Sequence, residues 1–484
     1  MTARYLAVLV YAVLIVFVGI LGGKKTKSFS DFALGGGKIG AWMSAFSYGT
    51  AYFSAVLFIG FAGKIGWGFG LSGLWIALGN ALLGTLGVWL LLGRKIKQEV
   101  LRYEVHTMPE YLEARYASPF LKLFTSAAIF VFLIPYTAAV FMGLSYLFEV
   151  TFNLPYSYVL IFMGVFTGFY LVLGGYKSMA MIDVIFGMIM TLGVVVLLSS
   201  TIHKGGGISN IIYSLQQINP KLAAPVGPPG FIPLASLVIL TSLAPFAMPQ
   251  LLQKFYAIKD EKAVKIGTIA STIFAVLVAG TAYFTGALTR IFLTPEKNPL
   301  AVMYNESGQI VPKVVDALMP EMLVTVIPAA LSVVILLLIL AASMSTLASL
   351  VLISSTSITK DLYKGFIRKD ASDKTLTNLV RLGSAFFIIL SVILAFLKPA
   401  VIVTILSVSW GAIASVFLGP FIWGMFNKKI NRTGAITGSV GGLAICLILF
   451  FVWGAAKVPQ AASVGMIASL LLAPVFGFLG KKKS

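Results

Sequence analysis

From Tyr5 to Leu479 the chain is a succession of apolar runs, most of them at least as long as the roughly 20 residues that carry an α-helix across a bilayer. In hydrocarbon a backbone must satisfy its own N–H and C=O groups, so such runs become helices or a closed barrel. A barrel strand would read as about ten residues of alternating polarity, whereas these runs are continuous. The chain therefore reads as an all-α polytopic membrane protein. Only 11% of its residues are charged, less than half of the roughly 25% found in soluble domains.

Thirteen spans are expected, at about 5–22, 39–63, 67–93, 119–150, 156–174, 178–202, 231–253, 263–293, 322–357, 376–397, 399–427, 433–454 and 459–480. The first run lacks the basic segment and small-residue cleavage site of a signal peptide, and is kept as a span. Thirteen crossings put the termini on opposite sides. The set of loops that includes the C-terminus holds 27 of the 36 Lys and Arg residues, among them Lys24, Lys25, Lys27 and Lys38, Arg94 through Lys122, Lys177, Lys254 through Lys265, Lys360 through Arg381, Lys428 through Arg432, and Lys481 through Lys483. The positive-inside rule then places the C-terminus in the cytoplasm, the N-terminus outside, and the protein in the cell membrane. The net charge of +20 thus reports topology and implies no nucleic-acid partner. No linker divides residues 1–484, no obligate protein partner is evident, and contact with membrane lipid is implied. The loops 203–230 and 294–321 fall outside and are expected to carry short helices or act as covers.

Enzyme chemistry finds little support. The only histidines, His106 and His203, lie in loops on opposite sides, and no His/Asp/Glu cluster has metal-ligand spacing. "ALGGGKIG" is glycine-rich but lacks the preceding strand of a nucleotide fold. Cys446, the one cysteine, sits in an apolar run and cannot form a disulfide within the chain.

Two spans are interrupted. The second, "GAWMSAFSYGTAYFSAVLFIGFAG", and the seventh, "FIPLASLVILTSLAPFAMPQLLQKF", cluster Gly, Ser, Thr or Pro near their middles. Pro245 and Pro249 each remove a backbone donor and disrupt the i→i−4 ladder. A single such break reads more readily as an ordinary proline kink. A matched pair reads as a transporter site at the midplane, because spans 2–6 (about 39–202) and 7–11 (about 231–427) then form two five-helix halves. Five is odd, so the halves are inverted, with 5–22, 433–454 and 459–480 peripheral.

The ninth span continues as "AASMSTLASLVLISSTSITKDLY", which carries hydroxyls at many positions. Most are accounted for by bonds to their own i−4 carbonyls or by close helix packing. This run, with "KKINRTGAITGSVGG", "DFALGGGKIGAWMSAFS" and "TMPEYLEARY", resembles the sodium:solute symporter family, which includes sodium–proline, sodium–pantothenate and sodium–sugar carriers. The resemblance covers nearly the whole chain and implies a LeuT-like inverted-repeat fold. It also implies a Na⁺ site made by backbone carbonyls of Thr50, Phe53 and Ala342 and the side chains of Ser345 and Thr346. Ala342, Ser345 and Thr346 stand at i, i+3 and i+4, on one helix face. A neutral oxygen cage suits a hard cation that must also leave.

Asp183 is the one acid placed well inside the membrane boundary. The family pattern puts Thr before it and Gln three residues later, where this chain has Ile182 and Phe186. Asp183 reads as lining the cytoplasmic ion exit, or as an interfacial acid paired with a loop base such as Lys177. The solute is expected beside the two breaks, against Tyr52, Ser54, Tyr136, Thr241, Ser242 and Phe246. Proline carriers of the family have an acid where Tyr52 stands and a Trp and Tyr near Thr241 and Pro245, and none is kept here. The expected activity is Na⁺-coupled symport of a small amino acid or carboxylate by alternating access. The alternative is a H⁺-coupled or uncoupled carrier or channel of the same fold.

Overall fold

The computed structural model describes residues 2–23, 29 and 39–479. The whole "DFALGGG" segment and the lysines at 24, 25, 27, 38 and 481–483 lie outside them. Among the described residues, ten helices are long and apolar enough to cross a membrane, and the shorter Arg4–Ile20 and Tyr156–Phe169 are also apolar.

Two of the helical stretches turn back on themselves. Val56–Tyr103 reverses at Gly70, whose φ of 59° suits glycine and whose missing Cβ leaves room for the Leu222 carbonyl. Tyr156–Lys204 is helical throughout, yet its contacts describe two passes. The Tyr156 hydroxyl reaches the Ala395 carbonyl at 2.9 Å, and Thr167 Oγ1 lies 3.8 Å from Met344 Sδ. Further along, Met179 lies level with Ser349, Asp183 with Ser345, and Gly193 packs on Leu338. The chain therefore runs along helix Ser332–Thr356 past Met344, reverses no earlier than the level of Ser349, and comes back along it.

That helix is the axis of the molecule, buried on almost every face from Ile335 to Thr356. It is shorter at its start than the sequence suggests: Leu318–Val326 is a separate helix, and the chain restarts after Pro328. Its far end winds on with wider turns over Ser357–Ile367. There Thr107 Oγ1 donates to Asp361 (2.7 Å) and Lys360 pairs with Glu110 (3.1 Å), which fastens the "TMPEYLEARY" segment against it. Helix Ile402–Phe426 is likewise enclosed, with the final pair Arg432–Trp453 and Val458–Leu479 packed along it and Cys446 buried between them. Loop 203–230 carries the amphipathic helix Ile208–Ile218, and loop 294–321 a small hairpin pairing Val302–Tyr304 with Ile310–Pro312.

Both interrupted spans are broken. Helix Ala41–Tyr52 stops at Phe53, whose backbone is extended (φ −105°, ψ 107°), and helical winding resumes at Val56. Gly49, four residues before the break, stays helical, and Phe274 packs against its bare Cα. In the second case helix Phe231–Leu243 tightens over Ala244–Phe246, loses helical geometry at Ala247–Met248 and restarts as Pro249–Ala257. Pro245 interrupts the ladder as expected. Pro249 does not: it opens the new helix, where its missing N–H costs nothing. The two broken helices run antiparallel, with Ile39 and Ile258 joined by a backbone bridge at one end (Ile39 N–H to Ala257 O, 2.9 Å) and the Tyr52 hydroxyl bonded to the Thr241 carbonyl at the breaks (2.7 Å).

Candidate functional site: an oxygen cage and an aromatic pocket at two broken helices

The first break frees carbonyls by diverting their donors. In a continuous helix the Ala51 carbonyl would accept from Ala55 N–H, which here goes to Ser343 Oγ at 3.2 Å. The Phe53 carbonyl would accept from Leu57 N–H, which goes instead to the Ser54 carbonyl at 3.0 Å. Ser54 Oγ accepts from Val56 N–H at 3.2 Å, a local turn that competes with helix. Ser343, dismissed by sequence reasoning among the many hydroxyls, is thus the side chain that holds the break open.

Opposite stands the 342–346 face. Thr346 Oγ1 lies 3.0 Å from the Ala342 carbonyl, 3.2 Å from that of Thr50 and 3.3 Å from that of Ala51. One hydroxyl proton cannot serve three carbonyls, so surplus lone pairs converge there, the donor set of a hard cation. Ser345 Oγ lies 2.8 Å from Thr50 Oγ1 and 2.6 Å from Asp183 Oδ1. By donating to that carboxylate, Ser345 turns its own lone pairs toward the cage. The structure therefore brings Thr50, Ala342, Ser345 and Thr346 together, with buried Phe53 at the break itself.

Asp183 is fully buried beside the cage, where Ser47 Oγ donates to it at 2.5 Å and Lys254 Nζ lies 3.7 Å away. It is not interfacial. Phe186, at the family's Gln position, stacks on Tyr11 of the first helix (5.6 Å between centroids).

A pocket adjoins the cage on the other side of Phe53. Of the predicted solute residues, Tyr52, Ser54, Tyr136 and Thr241 line it; Ser242 and Phe246 do not. The Ser242 hydroxyl faces Gly79 and the Phe246 ring faces Gly87. Asn80, Tyr283 and Trp410 also line it, with Phe53, Val56, Leu57, Phe61 and Leu406. Trp410 lies near-parallel to Tyr52 (6.0 Å) and edge-to-face with Tyr136 (5.8 Å). No signal short of a three-dimensional arrangement would have linked position 410 to the breaks. Among the described residues no charged side chain lines the pocket, which has about 30 Å³ of free space, room for a water.

Residues 32–442 match the model of the sodium:solute symporter family. The chain is 27% identical over 492 aligned positions to the sodium/pantothenate symporter of Escherichia coli, covering 99% of this chain and 96% of that protein. It is 28% identical to the high-affinity proline transporter PutP of Bacillus subtilis, over 89% of each. In fold it is similar to a Na⁺-coupled sialic acid symporter solved substrate-bound and outward-open (TM-score 0.80, 19% identity, 99% of both chains). MhsT solved with L-phenylalanine shares the broader fold (TM-score 0.54, 14% identity, 89% of this chain and 97% of that one). With a family match over most of its length, the chain belongs to the sodium:solute symporter family and is a multi-pass, Na⁺-coupled membrane transporter rather than an enzyme.

Proposed function

We propose that the cage formed by Thr50, Phe53, Ala342, Ser345 and Thr346 binds the coupling Na⁺, and that the adjoining pocket takes a small amino acid or carboxylate for carriage into the cell. The observation that carries this reading is the convergence of the Ser345 and Thr346 hydroxyls with carbonyls released at the first break. The pocket contains no acid to repel a carboxyl group and no basic side chain to bind one tightly. A solute carboxylate would find its countercharge in the neighbouring Na⁺. That coupling is reciprocal: Na⁺ raises solute affinity by the factor by which solute raises Na⁺ affinity. For a zwitterionic solute, each 100 mV of inward potential supplies about 2.3 kcal/mol per Na⁺, roughly fiftyfold accumulation. The pantothenate and proline carriers among its relatives support a solute of this size and polarity.

The remaining parts of the reading are the thirteen-span topology with the C-terminus cytoplasmic, repeats of about 39–202 and 231–427 inverted about the breaks, Tyr52, Ser54, Tyr136 and Thr241 as pocket contacts with Ser242 and Phe246 supporting the second break, and Asp183 on the inward ion path. The antiparallel broken helices and the placement of Asp183 beside the cage support it. Membrane lipid is its surrounding partner, with no nucleic acid. A H⁺-coupled or uncoupled carrier remains the rival.

Thermal stability of the purified protein in Na⁺, K⁺ or choline, scanned against amino acids and carboxylates, tests the proposal. Na⁺ should raise Tm, Ser345→Ala/Thr346→Ala should abolish that rise, and the cargo should stabilise only with Na⁺ present. A solute or proton effect without any Na⁺ effect in the wild type would favour the rival.

A further inference from the structure

Lys254 counts in the sequence as a loop charge. The structure buries it, with 1% of its side chain exposed, because the restart at Pro249 carries "PQLLQKFYA" inward as helix. Its ammonium lies 3.7 Å from Asp183 Oδ2, donates to Ser349 Oγ at 3.1 Å and sits 5.2 Å from the centre of the Tyr176 ring. The carboxylate between them also receives the hydroxyls of Ser47 and Ser345. A carboxylate flanked by hydroxyl oxygens from two other helices is a cation site in its own right, and it shares Ser345 with the Na⁺ cage. The cation it holds is the lysine's.

We infer that Lys254 is a tethered cation filling a second cation position at Asp183, and that it thereby limits the transporter to one Na⁺ per cycle. This rests on the reading of the neighbouring cage as the Na⁺ site. A carboxylate enclosed at this depth must be neutralised by a cation. A side chain anchored a few ångströms away presents its ammonium at an effective concentration that dissolved Na⁺ does not match. With the ammonium in place, the acid adds nothing to the field that attracts a further ion. Without it, Asp183, Ser47, Ser345 and Ser349 would offer Na⁺ a charged site one turn from the neutral one.

Equilibrium binding of ²²Na⁺ to the purified protein in nanodiscs decides the matter. The wild type should bind one Na⁺ along a hyperbolic curve. Lys254→Met, which keeps the length of the side chain, should bind two, and Asp183→Asn/Lys254→Met should return to one. Two ions bound by the wild type, or one bound by Lys254→Met at unchanged affinity, would overturn the inference; the wild-type count serves for this even if the variant does not fold. No ion bound by the wild type but one gained in Lys254→Met would sink the cage reading and leave the Lys254 assignment standing. No ion bound by either would end both.

Discussion

Tyr52→Phe tests how the two breaks are held together. Thr241 lies in the last turn before the second break, and the residue four positions on, whose N–H its carbonyl would accept, is Pro245. Ala244 N–H is directed to Leu240. The donor that Pro245 lacks is supplied from the other broken helix, by Tyr52 Oη at 2.7 Å. Tyr52 is 5% exposed, so water does not readily replace it. Removing the hydroxyl strands a buried acceptor, at a cost of about 1–3 kcal/mol. If the whole cost falls on the arrangement that pairs the two breaks, its population shifts by about 5- to 150-fold. Tm should fall, and single cysteines placed around the pocket should label faster. The rescue is specific: Pro245→Ala restores a backbone N–H to the Thr241 carbonyl, so Tyr52→Phe/Pro245→Ala should be more stable than Tyr52→Phe alone. Equal stability of Tyr52→Phe and wild type, or a double variant that merely adds two losses, would refute the reasoning.

Three further outcomes are expected. Asp316, in the short helix Val315–Ala317 between spans, accepts from Ile402 N–H, and burial raises its pKa to about 6 despite Lys64 and Lys398 nearby. A carboxyl raised in the folded state stabilises below its unfolded pKa near 3.8 and loses that contribution as pH climbs to about 6, a change of about 3 kcal/mol; Tm against pH should fall across that window and flatten in Asp316→Asn. Gly66 and Gly286 bring two helices into backbone contact, so Gly66→Ala drives a methyl into the Gly286 carbonyl and should cost about 1–3 kcal/mol or more, read as lost Tm and reduced yield. Ser343→Ala removes the acceptor for Ala55 N–H and should weaken Na⁺ stabilisation although Ser343 lies outside the cage, whereas Ser343→Thr should retain it.

The helical architecture, the two breaks and the Ser345–Thr346 pair could all be read from the chain, because hydropathy, proline and hydroxyl spacing are local properties. What escaped depends on partners distant in sequence. Ser343 and Ser349 look alike on paper, yet one supports the break and the other receives an ammonium. Lys254 resembles a loop residue because apolarity fades after Leu252, and only its seat against Asp183 reveals it as interior. Ser242 and Phe246 adjoin the second break in sequence, but helical rotation turns them toward Gly79 and Gly87 while Thr241 meets Tyr52. Asn80, Tyr283 and Trp410 come from three other helices and carry no motif.

The bridge between Ile39 and Ile258 has a mechanical consequence. It staples the Ala41–Tyr52 half of one broken helix to the Pro249–Ala257 half of the other, through Ile39 N–H to the Ala257 carbonyl and Lys259 N–H to the Ile39 carbonyl, both 2.9 Å. Neither half can swing alone without snapping two backbone bonds. Bending at Phe53 must therefore be matched by bending at Ala247–Met248, which makes the two breaks a single hinge line and the stapled halves one lever.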